Sequence, residues 1–211
     1  SGETDWFRGE TSMVIIAVVA LVLGTVCGQW IFPEVWSKWI GEISDYILYL
    51  LMFAVGVSVG NNKLVLKKLR EYNLTVLLIP FGIVIGSALS GFVCGFILKM
   101  PFSTSVPIAS GMGWYSLSGV MVGNLSGPEA GAIAFLSNLL REILSFLMIP
   151  LVVKYLNPYT AIAPAGATSE DTTLPMMIKY TSEDVVVLSV LNGIFCSALM
   201  PVMTNFFHGI L

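Results

Sequence analysis

Residues 107–123 read Pro107-Ile-Ala-Ser-Gly-Met-Gly-Trp-Tyr-Ser-Leu-Ser-Gly-Val-Met-Val-Gly123. The stretch sits among long apolar runs, yet it does not read as an ordinary helix. Each of Gly111, Gly113 and Gly119 costs about 1 kcal/mol against alanine in a helix interior. Pro107 lacks a backbone donor, and Ser110, Ser116 and Ser118 offer hydroxyls to the backbone. Within hydrocarbon, freed N–H and C=O groups must find partners, so irregular backbone survives there only against protein or a wet cavity. A broken helix lining a substrate path is the expectation.

The surrounding chain fixes the class. Hydrophobic residues make up 56% of the 211 and charged residues 11%, against roughly 25% charged in soluble domains; mean hydropathy is +0.86. Several runs reach the about 20 apolar residues a spanning helix needs. The fold class is all-α: a polytopic membrane protein with about seven transmembrane segments, two of them discontinuous, at 102–123 and 159–178. A polar tail, 1–12, precedes a helical transmembrane domain, 13–211; the tail lacks a cleavable signal pattern and reads as a processed end or a linker.

Conventional spans are expected at about 13–32, 42–60, 74–98, 129–153 and 184–208. Trp30, Trp36 and Trp39 mark a membrane boundary, and Lys63, Lys67, Lys68 and Arg70 make the loop at 61–73 cytoplasmic, and with it the N-terminus. Gly82/Gly86 and Gly91/Gly95 read as helix-packing faces. Ser126-Gly-Pro-Glu129 reads as a capped helix start. Cys27, Cys94 and Cys196 lack metal-ligand spacing and read as buried structural thiols.

The second interruption, Tyr159 to Ile178, reads YTAIAPAGATSEDTTLPMMI. Like the first, it is hydroxyl-rich, broken by proline and glycine, and followed by a conventional helix. Paired interrupted segments point to a transporter binding site. Arg141 and Glu142 lie about twelve residues from either end of their helix, near the midplane, where a charge costs about 2.5–3.5 kcal/mol and is by default paired or functional. Asn138 stands one turn earlier. Both a structural network and substrate contact fit these three. Thr168-x-x-Asp171 resembles a capping box; Asp171 is also read as a buried carboxylate able to hold a cation or a proton, with Glu170 beside it. Gly56-x-Ser58-x-Gly60 matches a nucleophile elbow but ends an apolar span, with the single histidine far off at 208, so an enzyme is not expected. Neither a metal or cofactor site nor a nucleic-acid patch is indicated.

Five groups of residues together resemble the lysine exporter LysO family. They are Ala109 to Gly119, Gly127-Pro128, Asn138 with Arg141-Glu142, Gly166-Ala-Thr-Ser-x-Asp171-x-Thr-Leu-Pro175, and Val55-Gly56 running into Asn61-Asn62. The resemblance covers about residue 49 to the C-terminus. It implies export of L-lysine across the bacterial inner membrane, by proton-coupled antiport. Familiar members have further N-terminal helices, so the resemblance also implies the C-terminal portion or large subunit of a split version, with a second small membrane subunit. Homo-oligomerisation stays open, and the other partner is membrane lipid. The implied substrate contacts are Ser110, Gly111, Gly113, Trp114, Tyr115, Ser116, Ser118, Asn138, Glu142, Thr168, Ser169 and Asp171. Arg141 and Glu170 take structural or coupling parts. Asp171 would alternate between proton and substrate amine, and Trp114 and Tyr115 would pack the aliphatic stem or an ammonium. The alternatives are a cation/proton antiporter and an accessory subunit of a transporter.

Overall fold

A computed structural model describes residues 77–211 continuously and, before them, the helical positions 19, 22–24, 26, 27, 39, 43, 46, 47, 50, 53, 54 and 57. The chain divides into two units, residues 1–49 and 50–211. The polar tail, the basic loop with the N-terminal orientation it implies, and most of the first two expected spans lie outside the described residues.

Seven α-helices order the continuous part: α1 (Leu78–Leu98), α2 (Phe102–Ala109), α3 (Tyr115–Ser126), α4 (Pro128–Tyr155), α5 (Ile162–Ala165), α6 (Leu174–Tyr180) and α7 (Glu183–Ile210), with a 3-10 turn at Gly166–Glu170 between α5 and α6. Three of them, α1, α4 and α7, are long and apolar enough to cross a membrane. The described residues are all-helical apart from their turns, as the composition requires.

Local chemistry sets the ends. Pro80 falls in the first turn of α1, where its missing donor is not needed, so the helix runs on unbroken. Lys99 stops α1 in the left-handed conformation, φ 55°, with its N–H on the Gly95 carbonyl. Gly127, at φ 95°, turns α3 into α4, and Pro128 occupies the first position of α4, where proline is pre-organised for a helix. The start of α4 is therefore as expected, but the cap is not. Ser126 is the last residue of α3, no side chain caps α4, and the Ser126 hydroxyl meets His208 Nδ1 at 3.4 Å. That nitrogen also meets the Ser103 carbonyl at 3.0 Å, so one ring ties the ends of α7, α3 and α2 together.

Close packing falls on glycines. A Cβ on Gly91 would come within 2.7 Å of Val106 Cα, and one on Gly131 within 2.7 Å of Gly119 O and Gly123 Cα. The pairs α1–α2 and α3–α4 thus approach backbone to backbone, the small-residue packing that replaces hydrophobic driving force in lipid. Gly91/Gly95 bear out their reading as a packing face. At Gly82 and Gly86 nothing among the described residues lies within 4 Å of a Cβ, and both line a cavity. Cys196 is buried as expected, but Cys94 is exposed and Cys27 only half-buried. A buried cluster of Ile149, Ile162, Met177, Leu188 and Leu191 joins α4, α5, α6 and α7.

Candidate functional site

Both interrupted segments are broken where the sequence places the breaks. In the first, the helical pattern fades through weak bonds from Gly111 N to Ile108 O (3.3 Å) and Met112 N to Ala109 O (3.4 Å). Met112 and Gly113 then take positive φ, 51° and 99°. Such a conformation is uncommon for a non-glycine residue and persists only where its surroundings enforce it. Asn138, buried on α4, does so. Its Nδ2 lies 3.0 Å from Ile108 O, 3.0 Å from Ser118 Oγ and 2.9 Å from Ala134 O, and its Oδ1 accepts from Gly113 N at 2.9 Å. Gly111 is the residue that leaves room: a Cβ there would collide with the Asn138 amide and the Ser118 hydroxyl. Ser110 donates to Val106 O at 2.8 Å.

The second break is built alike from the other side. Gly166 turns at φ 61°. Asn192, buried on α7, donates to Gly166 O and Ser169 Oγ, both at 3.0 Å. Ser169 and Ser189 exchange hydroxyl-to-carbonyl bonds, Ser169 Oγ to Ser189 O at 2.8 Å and Ser189 Oγ to Ser169 O at 3.0 Å. Thr168 donates to Ala165 O at 2.8 Å, and Thr173 donates to Thr168 O at 2.9 Å. The expected Thr168–Asp171 capping box does not form, because the Thr168 hydroxyl turns back along the chain.

The two breaks touch. Ala167 N donates to Met112 O at 2.9 Å, and a Cβ on Gly166 would strike that same carbonyl. A Cβ on Gly113 would lie 3.3 Å from Ala165 O. Two discontinuous helices therefore meet at Met112–Gly113 and Ala165–Ala167.

Charged side chains flank this meeting point. Arg141 reaches from α4 to the C-terminal end of α5, with Nε 3.4 Å from Pro164 O, Nη2 3.4 Å from Ala163 O and Nη1 3.1 Å from Ser87 Oγ. Glu142, its neighbour, points elsewhere. It is 4% exposed, its Oε2 is buried without a hydrogen-bond partner among the described residues, and Thr172 and Asp171 lie close enough to act on it. Glu170 accepts from Ser197 Oγ at 2.8 Å and also feels Asp171. Asp171 itself is exposed, with Oδ1 taking the Thr172 N–H at 2.6 Å. The sequence reading of Asp171 as the buried acid is corrected: Glu142 is the fully buried carboxylate, and Asp171 sits at the rim of a three-acid group. Trp114 and Tyr115 are half-buried, Tyr115 edge-on to Phe135 at 5.2 Å, and Ser116 is exposed.

Sequence reasoning passed over Asn192, Ser189, Ser197 and Thr172. The available signal was Asn192 itself, an amide inside an apolar span with Ser189 one turn before it.

Comparison with known proteins places these features in context. A family model described as "Lysine exporter LysO" matches residues 18–208. The chain is 36% identical over 166 residues to the "Lysine exporter LysO" of Escherichia coli, covering 79% of this chain and 55% of that protein. It is 36% identical over 197 residues to the "Putative lysine exporter" of Haemophilus influenzae, covering 90% of this chain and 93% of that one. The chain thus spans about half the length of the E. coli relative. No solved structure matches it.

Proposed function

The chain belongs to the lysine exporter LysO family, and from that premise we propose that it is a secondary active exporter of L-lysine in the bacterial inner membrane, driven by proton antiport. The observation that carries the reading is the contact between two broken segments, Ala167 N to Met112 O, beside the carboxylates of Glu142, Glu170 and Asp171. Irregular backbone exposes unpaired carbonyls and N–H groups to a substrate. The acids offer anionic sites for the two ammonium groups of lysine.

In this cycle Asp171, at the rim, exchanges a proton for the substrate amine. Glu142, behind it, holds the second charge or proton. Glu170, fixed by Ser197, couples the exchange to α7. The residues expected to touch substrate divide in two. Asn138, Ser110, Ser118, Gly111, Ser169 and Thr168 shape the breaks through bonds already made. Gly113, Trp114, Tyr115 and Ser116 border them.

Counterflow of labelled lysine into proteoliposomes, with and without a pH gradient, tests the proposal. Accumulation that follows the gradient supports it. Competition by sodium without lysine movement would favour a cation/proton antiporter instead. Flux by the chain alone would dispense with a second subunit; absence of flux with every candidate partner would leave an accessory role.

A further inference from the structure

A cavity of roughly 590 Å³ opens between α1 and the segment leading into α5. Its wall carries Gly86, Ser87 and Ser90 from α1, Arg141 from α4, and Tyr159 and Thr160. The volume falls within the about 300–1,000 Å³ of small-molecule sites. Gly82 and Gly86 recess the α1 wall, since among the described residues nothing lies within 4 Å of a Cβ at either.

Arg141 is the charged group on this wall. A guanidinium has five N–H donors and keeps its charge at any working pH. Its three bonds use neutral oxygens, and two of them are 3.4 Å long, beyond the usual 2.7–3.2 Å for such bonds. Among the described residues no carboxylate bonds to it. The cation is thus held in place by weak neutral contacts with donors left over, in a mostly apolar space edged by the hydroxyls of Ser87, Ser90, Tyr159 and Thr160. A planar fork with spare donors is matched by a carboxylate, which it binds through two parallel bonds.

Resting on the export reading above, we propose that this cavity receives the α-carboxylate of the amino-acid substrate on Arg141, with Ser87 and Thr160 as neutral donors around it. The site makes the carboxylate a condition of transport. A diamine of the same chain length is then excluded, although it satisfies every acidic group.

The test is competition against labelled-lysine counterflow in proteoliposomes by unlabelled lysine, lysinamide and 1,5-diaminopentane. The wild-type chain should prefer lysine over the other two by tenfold or more, the worth of about one charge-assisted bond. Arg141→Gln should bring that preference below about twofold. Wild-type protein without the preference, or folded Arg141→Gln that retains it, overturns the proposal. So does a preference that tracks the anionic lipid content of the vesicles, which would assign the cavity to a lipid headgroup. Should Arg141→Gln fail to elute as a folded species, Gly86→Leu decides. It fills the recess and should raise the half-saturating lysine concentration about tenfold while leaving diaminopentane competition unchanged; unaltered lysine saturation overturns the site. Wild-type protein that moves no lysine at all defeats the export reading and this inference together, an outcome distinct from failed discrimination.

Discussion

At the first break Asn138 gathers a backbone N–H, two carbonyls and a hydroxyl. At the second, Asn192 gathers one carbonyl and one hydroxyl, and paired serines complete the work. Each break is thus held by an amide projecting from a spanning helix, α4 for one and α7 for the other. They differ in what surrounds them. The first has aromatic rings and hydroxyls but no acid of its own. The second carries Glu170 and Asp171 and reaches toward Glu142. One break is a neutral frame, and the charge chemistry is gathered at the other.

The largest effect is expected where the frame and the charged break meet. Gly166→Ala forces a side chain against the Met112 carbonyl at a positive φ, which should destabilise the protein by about 3 kcal/mol or more and abolish efflux. A melting temperature within a degree of wild type in detergent would show that the crossing is looser than described. Next, Asp171→Asn should leave melting almost unchanged, because an exposed substitution stays within about 0.5 kcal/mol, while efflux falls to background. Normal efflux would remove the division between a neutral and a charged break. Third, Asn138→Ala should cost about 2–4 kcal/mol and Asn192→Ala about 1–3, since each strands buried groups at about 1–3 kcal/mol apiece. Chemical denaturation of the two variants side by side ranks them; the reverse order would mean that the second break carries more of the fold. The smallest effect belongs to Ser116→Ala. The residue is exposed, and both melting and flux should match wild type; a large loss of flux would give the first break a direct hand in transport.

The breaks were legible in the sequence because their causes are local. Pro107, Gly111, Gly113 and Gly166 act on the backbone within a few residues of themselves. The long helices were legible for the same reason, to within two residues at α4 and α7. What could not be read is contact across the fold. Ser126 has the spacing of a cap, but His208, 82 residues away, engages its hydroxyl. Asp171 has the depth of a buried acid, yet position along a helix axis does not say which way a side chain faces; Glu142 took the buried place. Gly82 and Gly86 carry the same small-xxx-small signature as Gly91 and Gly95, and among the described residues only the second pair has a helix, α2, packed on it. Asn192 and Ser189 stand one turn apart in an apolar span, and what they engage, the 3-10 turn, is about twenty residues away in sequence.

The link between the two breaks, Ala167 N to Met112 O, runs from main chain to main chain. Side-chain replacement therefore cannot delete it: Gly166→Ala disturbs the junction by collision with the Met112 carbonyl, not by removing the bond itself. Only editing the polymer itself, such as an ester in place of the amide at Ala167, would expose how much the pivot matters.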